Sequence, residues 1–221
     1  MKYTIIILLT IGLAACVAPD MIDSASVDSV SGSAAVSTST NSRLAELPAG
    51  MDELVLGGGC FWCLEAAYEL VPGVLSVESG YSGGERPNPD YRVVSLGTSG
   101  HAEVVRIVYD PAYTNLELLF DLFFTIHDPT TPNRQGADIG PQYRSIILYR
   151  DELQLKAAQS ALGRAGNVYE NAVVTELQPL ERFWLAEEYH QDYFAKNPDA
   201  AYCRLVVAPK VDKTLQFLQD L

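Results

Sequence analysis

Two cysteines three residues apart follow a run of glycines in Gly57-Gly58-Gly59-Cys60-Phe61-Trp62-Cys63-Leu64-Glu65. Three glycines in a row form strands and helices poorly; they serve to admit unusual backbone angles or close approach. The pattern predicts a strand, a glycine turn and a helix start, with Cys60 in the first helical turn. Free N–H groups and the helix dipole stabilise an anion there. A thiolate at Cys60 is therefore expected at a depressed pKa, and the thiolate is the nucleophilic form. The plainer alternative is a buried cysteine packing as a small hydrophobe, and the glycine run weighs against it. Phe61 and Trp62 belong either to the core or to the wall of an apolar pocket at the nucleophile. Two chemistries fit. One is a thioredoxin-like disulfide oxidoreductase with Cys60 and Cys63 as its redox pair. The other is a peroxide- or sulfoxide-reducing enzyme that passes through a sulfenic acid resolved by a second cysteine.

The other groups able to act with a thiol are scattered. Glu103, in Gly100-His101-Ala102-Glu103-Val104-Val105, lies early on an expected strand and by alternation shares a face with Val105, Ile107 and Tyr109. A carboxyl on an apolar face has a raised pKa and stays protonated as a general acid. Strand geometry alone favours the plainer outcome, a strand-end Glu with its head in water. Asp138, in a loop after Gly136, and the tyrosines Tyr91 and Tyr143 read singly as turn or packing residues with polar tips. Cys203 stands alone near the C-terminus. His101, His127 and His190 form no short pair, and a lone C-x-x-C is a poor zinc ligand set, so no metal site is expected. Four unevenly spaced cysteines are also too few for a disulfide-stapled scaffold.

The elements that would carry these residues follow from periodicity. Residues 53–56 read as a short buried strand, 60–70 as a helix with Phe61, Leu64, Ala67 and Tyr68 on one side, and Pro72-Gly73 as its stop. Strands are expected over 74–81, 101–109, 143–149 and 173–177. Asn115 is placed to cap a helix whose Leu116, Leu119, Phe120 and Phe123 recur at helical spacing, and Asp151 to cap a helix reaching about residue 165. Residues 186–194 read as a helix, 205–208 as a short apolar run, and a last helix follows Pro209. The stretch 128–142 is a long loop of the kind that is often functional. Strands and helices mix without strict β-α-β alternation, which favours an α+β domain with helices packed on a mixed sheet.

The N-terminus reads as an address. Residues 4–13 form an apolar run after Lys2, too short to span a bilayer but of the size of a signal core, and it ends in Leu13-Ala14-Ala15-Cys16. This is similar to a bacterial lipoprotein signal cut before a cysteine that then carries the lipid. An ordinary secretory signal with a bystander cysteine is the alternative. The expected organisation is a signal peptide over 1–15, a lipidated Cys16 with a flexible Ser/Ala/Thr-rich tether over 16–45, and a catalytic domain over 46–221. Val17 after the cysteine, by the same similarity, favours the outer membrane, on the periplasmic side of the envelope. The 221 residues carry 15 Lys+Arg against 28 Asp+Glu, a net charge of -13, which argues against nucleic acid as a partner because phosphates need a basic face. A hydrophobic content of 48 % with 19 % charged residues excludes wholesale disorder.

Taken together, several segments resemble the A-type peptide methionine sulfoxide reductases. They run in order: Gly59-Cys60-Phe61-Trp62, Ser79-Gly80-Tyr81-Ser82-Gly83-Gly84, Asn88-Pro89-Asp90-Tyr91, Gly100-His101-Ala102-Glu103 and His127-Asp128-Pro129. Arg134-Gln135-Gly136-Ala137-Asp138, Gln142-Tyr143-Arg144-Ser145, Glu188-Tyr189-His190-Gln191-Asp192-Tyr193, Asn197-Pro198 and Tyr202-Cys203 follow. The resemblance implies a two-layer α+β sandwich with a ferredoxin-like core. It also implies that the Cys60 thiolate attacks the sulfur of a methionine-S-sulfoxide, free or in proteins. Glu103 would protonate the oxygen, Tyr91 and Tyr143 would hydrogen-bond it, Phe61 and Trp62 would hold the methyl group, and Asp138 would orient the substrate. Cys60 would be left as a sulfenic acid, closed to a disulfide by Cys63 or Cys203 and reduced by a thioredoxin-type protein. No metal or organic cofactor and no partner subunit are implied; the chain is expected to act as a monomer. Two departures stand out. Pro141 replaces a common Thr, and the glycine-rich tail usual around the C-terminal cysteine is absent, with Arg204-Leu205-Val206-Val207 after Cys203 instead. Cys63, one helical turn from Cys60, offers the second route, and a relay through both cysteines is a third. The competing readings are the thioredoxin-like oxidoreductase and a non-catalytic lipoprotein that binds envelope proteins.

Overall fold

β1 (Asp52–Gly58), α1 (Phe61–Tyr68) and β2 (Val74–Ser82) open the fold, and β3 (Ala102–Tyr109) inserts between the two strands, antiparallel to both. The structure, a computed structural model, describes residues 47–221. The expected signal peptide and tether, and Cys16 with them, lie outside the described residues. After β3 come α3 (Leu116–Ile126) and β6 (Ser145–Tyr149), which returns beside β1. The strand order β6-β1-β3-β2, reached through two β-α-β crossings, is a ferredoxin-like core. β7 (Glu176–Pro179) adds to one edge, parallel to β6, and β8 (Trp184–Leu185) adds to the other. The six-stranded mixed sheet with packed helices agrees with the expected α+β class.

All eight residues of β3 are buried, so both faces of the sheet are covered. On one face Val55, Ala102, Val104, Ile146 and Leu148 lie under Phe183 and Leu180. Arg106 would be an isolated charge here, but its guanidinium meets Glu53 at 2.6 Å and Glu78 at 2.8 Å, which a buried charge requires. Alternation turns Glu103, Val105, Ile107 and Tyr109 to the opposite face. α1 packs on β2 and β3 there, and the Tyr68 hydroxyl ties it to α3 by donating to the Leu119 carbonyl at 2.8 Å. Phe61, Leu64, Tyr68, Leu119, Phe120 and Phe123 are all essentially inaccessible, each worth roughly 1.5–3 kcal/mol of burial.

The expected caps form. Asn115 accepts from the Leu118 N–H, and Asp151 accepts from the Gln154 N–H at the start of α4 (Glu152–Val168), both at 2.9 Å. Other expectations are corrected. The long loop at 128–142 contains a hairpin of β4 (Arg134–Gln135) and β5 (Asp138–Ile139), followed by a single 3-10 turn, Pro141–Tyr143. α2 (Tyr91–Ser95) forms in a stretch to which no element was assigned. Residues 186–194 are not one helix. Glu188–His190 is a 3-10 turn, Asp192 takes a left-handed backbone (φ 53°), and α5 is only Tyr193–Lys196. Cys203–Val207 is a π-helical turn running into α6 (Ala208–Gln219), not an apolar run before a separate helix.

Candidate active site

Three neighbouring elements aim at one point: the end of β1, the start of α1 and the start of β3. The glycines make that approach possible. A Cβ on Gly58 would sit 2.8 Å from the Phe123 ring and 3.1 Å from that of His127. Gly59 has φ +102°, and a Cβ there would meet Gln135 Cγ at 2.6 Å, so the β4–β5 hairpin closes directly over the turn. Cys60 caps α1 and is 5 % exposed.

Glu103 is 2 % exposed, and its carboxylate Oε2 accepts the Phe61 N–H at 3.1 Å. Burial raises its pKa to about 8, with the negative charges of Asp138 and Cys63 adding and the Phe61 N–H opposing. The strand-end Glu with its head in water is thus corrected: the start of α1 covers it. At neutral pH it carries its proton.

The expected depressed pKa at Cys60 is also corrected. Burial pushes this thiol up, and its hydrogen bond to Cys63 and the charge of Glu103 push the same way. The reason is geometric. Cys60 precedes the first turn of α1, and the helix N–H nearest it, that of Phe61, is taken by Glu103. Cys63, fully buried one turn along, is lowered instead, mainly by the hydrogen bond from Cys60 and further by the Lys210 ammonium. The Tyr202 hydroxyl hydrogen-bonds both thiols and donates to Asp138 Oδ2 at 2.6 Å. Asp138, on β5, is pushed up by burial. Tyr143, on the 3-10 turn, is pushed up by burial and then by the charges of Glu103, Cys60, Tyr91 and Asp138, groups that therefore lie near it. Tyr91 begins α2, its N–H held by Glu187 at 2.8 Å and its ring 4.4 Å from His190.

Beside the thiol stands an aromatic wall. Trp62 stacks on Tyr193 at 3.7 Å and 8° between planes, and Tyr202 meets it edge-on at 5.8 Å. Phe61 lies 6.2 Å from Trp62 and 5.0 Å from the His190 ring. His190 is 1 % exposed, and burial holds its pKa down at about 4, so the ring is neutral. Neither of its ring nitrogens, nor Trp62 Nε1, has a hydrogen-bond partner among the described residues, although His190 Nε2 lies 4.0 Å from Glu187 Oε2. The eight candidates Cys60, Phe61, Trp62, Cys63, Tyr91, Glu103, Asp138 and Tyr143 are brought together. Cys203 is fully buried at the start of the π-turn, beside Tyr202, and its thiol is pushed up by burial and by Cys63. Sequence reasoning missed the roles of Tyr193, Tyr202, His190 and Glu187. His190, Tyr193 and Tyr202 lie in segments singled out for their resemblance and Glu187 just before one of them, yet their side chains converge only through the irregular backbone after β8.

A sequence model of the peptide methionine sulfoxide reductase family matches residues 52–220. The chain is similar to the "Peptide methionine sulfoxide reductase MsrA" of Nautilia profundicola, 55 % identical over 170 residues, which is 77 % of this chain and 98 % of the relative. It is 51 % identical over 170 residues to the protein of the same name from Sulfolobus acidocaldarius, covering 77 % and 97 %. Among solved structures, the reduced form of Mxr1 from Saccharomyces cerevisiae matches with a TM-score of 0.67 at 36 % identity, over 71 % of this chain and 91 % of that one. Mxr1 in complex with Trx2 matches with a TM-score of 0.50 at 28 % identity, over 68 % and 89 %.

Proposed function

The chain belongs to the peptide methionine sulfoxide reductase (MsrA) family, and from that premise we propose how its residues reduce methionine sulfoxide. The single observation that carries the mechanism is the buried Glu103 carboxyl beside the start of α1 and the Cys60 thiol, where burial raises its pKa to about 8. Sulfoxide sulfur is a poor electrophile until its oxygen is protonated. Glu103 gives its proton to that oxygen, and the Tyr91 and Tyr143 hydroxyls hydrogen-bond it. Cys60 Sγ bonds to the sulfur while the thiol proton passes to the Glu103 carboxylate. The hydroxyl then passes from the substrate sulfur to Cys60 Sγ as the S–O and Sγ–S bonds break, which leaves Cys60 as a sulfenic acid and releases methionine. Phe61 and Trp62 hold the methyl group and exclude water, and Asp138, fixed by Tyr202, orients the substrate.

Cys63 is the resolving thiol in this reading. It is hydrogen-bonded to Cys60 within one turn of α1 and is the more acidic of the two, whereas Cys203 is buried in a π-turn and pushed up. Cys63 Sγ attacks the sulfenic sulfur and expels water, leaving a Cys60–Cys63 disulfide. A thioredoxin-type dithiol exchanges with that disulfide and restores both thiols, a role supported by the Mxr1–Trx2 relative. The catalytic unit is a monomer, since one chain supplies every group, and the S epimer is the substrate.

The reduced full chain is mixed with racemic methionine sulfoxide and no other reductant. One epimer should be lost in stoichiometric amount, with a Cys60–Cys63 bridge found by peptide mass mapping. A Cys60–Cys203 bridge in its place overturns the choice of Cys63. No methionine from a folded protein with titratable thiols overturns the mechanism. Cys60→Ser should abolish turnover. Glu103→Gln should lower kcat by about 10²–10⁴-fold while leaving disulfide exchange intact, which separates this mechanism from a thioredoxin-like one.

We also propose that Cys16 is acylated and anchors the domain to the outer membrane on its periplasmic side, with residues 17–45 as tether. The Leu13-Ala14-Ala15-Cys16 sequence supports it. An N-terminal peptide beginning at Cys16 and carrying acyl mass is the expected finding, lost in Cys16→Ala; a mature N-terminus without acyl mass rejects it.

A further inference from the structure

Glu65 is the one buried carboxyl near the site, among the described residues named above, that the mechanism leaves without work. It lies on α1 three residues past Trp62, is 1 % exposed, and faces away from the thiols. Its Oε1 accepts the Ser79 hydroxyl of β2 at 3.1 Å. Its Oε2 accepts the Tyr193 N–H at 3.3 Å, and the Asp192 backbone hydrogen-bonds it as well. One carboxyl thus joins the helix that carries Cys60, a central strand and the short segment that carries the Tyr193 ring. That ring is the flat partner of Trp62. We propose that Glu65 is a positioning residue for the substrate's methyl pocket: it holds the Asp192–Tyr193 segment against α1, and so keeps Tyr193 stacked on Trp62. The proposal rests on the reading that Trp62 walls that pocket.

The segment has other ties. Gln191 bonds Ser79 through both its N–H and its carbonyl, and Lys196 pairs with Asp192 at 3.1 Å. Gln191 fixes the chain at 191, the Lys196–Asp192 pair stays within the segment, and the Glu69 side chain at the end of α1 hydrogen-bonds the Asp192 side chain. Asp192 takes a left-handed backbone, and the Glu65 carboxyl is the side chain from α1 that reaches the Tyr193 N–H.

The clamp also senses protons. Burial raises Glu65 to about 7, although three hydrogen bonds favour its charged form. The charged groups facing it are Glu69 on its own helix and Asp192 on the clamped segment, both acidic; Ser79 of β2 is neutral. Desolvation outweighs the bonds, so the closed, dry arrangement binds the proton more tightly than one that water has entered. As pH rises through about 7, Glu65 ionises and the open arrangement gains. Glutamine copies the protonated form: its oxygen accepts from Tyr193 and its amide donates to Ser79.

The test uses the full chain with Trp184→Phe, which leaves Trp62 as the only tryptophan. Trp62 emission of the ligand-free protein should shift with a midpoint near pH 7. In parallel, methionine sulfoxide binding to the Cys60→Ser form should weaken roughly tenfold over the same step. Glu65→Gln should abolish both steps and hold the tight-binding, low-pH values, while leaving any change near pH 8 that belongs to Glu103. Glu65→Ala should bind about tenfold more weakly at every pH. A Trp62 step that persists in Glu65→Gln overturns the proposal, as does unaltered binding by a folded Glu65→Ala. Trp62→Ala tests the pocket reading by itself: binding unchanged in that variant rejects the pocket, whatever Glu65 does.

Discussion

The Glu103 carboxyl and the Cys60 thiol have their pKa values set by burial more than by the helix they adjoin. Glu103 takes the Phe61 N–H, one of the first-turn donors that a sequence reading assigns to the thiol, and burial then lifts both groups. A reaction that needs protonated Glu103 should lose rate as pH rises through about 8. A pre-steady-state pH profile of methionine release should show that descending limb, and Glu103→Gln should flatten it at its lower rate. Cys60 stood out in the sequence because it follows a glycine run, whereas Glu103 was singled out by the family resemblance, since strand alternation alone favoured a solvent-facing head. Their protonation was not legible. It depends on α1 and the Pro141–Tyr143 turn covering the strand end, and no local spacing encodes that contact.

At the scale of elements, the site is assembled where β1 runs into α1 with almost no clearance. Gly58→Ala should force the Phe123 and His127 rings apart and cost about 1–3 kcal/mol, measured by urea unfolding with the slope unchanged. Strongly periodic elements were legible: α1, then α3 and α4 with their Asn115 and Asp151 caps, and the strands β1, β3 and β2. The segments that deliver Tyr143, His190, Tyr193 and Tyr202 were not. Each is a 3-10 turn, a four-residue helix or the start of a π-turn, too short or irregular for any period to register. Residues 186–194 have helical spacing of apolar groups, yet Gln191 spends its side chain on the β2 backbone and Asp192 turns left-handed, which breaks the helix in two.

For the molecule as a whole, opposing buried acids and bases set the pH at which the fold is firmest. Burial lowers His127 to about 3 and His190 to about 4, so the folded chain binds fewer protons than the unfolded one below about pH 6.5, and stability falls as pH drops. Glu65 and Glu103, raised to about 7 and about 8, hold protons that the unfolded chain releases above about pH 4.5, so stability falls as pH rises. Between these limits the two pairs offset one another. A plateau near pH 4.5–6.5 is expected, followed by a loss of about 2–3 kcal/mol by pH 8. Urea midpoints across pH check it, and Glu103→Gln should remove most of the alkaline fall. The mixed α+β class was legible in the sequence, whereas the strand order β7-β6-β1-β3-β2-β8 was not, because alternation marks strands without naming their neighbours.

The three thiols of the folded domain are all buried, two of them within one helical turn. An enzyme that mends oxidative damage works amid the oxidants that cause it, and a sulfenic acid left in the open is readily carried on to the irreversible sulfinic stage. In the proposed mechanism that intermediate forms behind an aromatic wall with Cys63 already beside it. The same burial that slows the approach of a peroxide therefore makes the repair site its own first beneficiary.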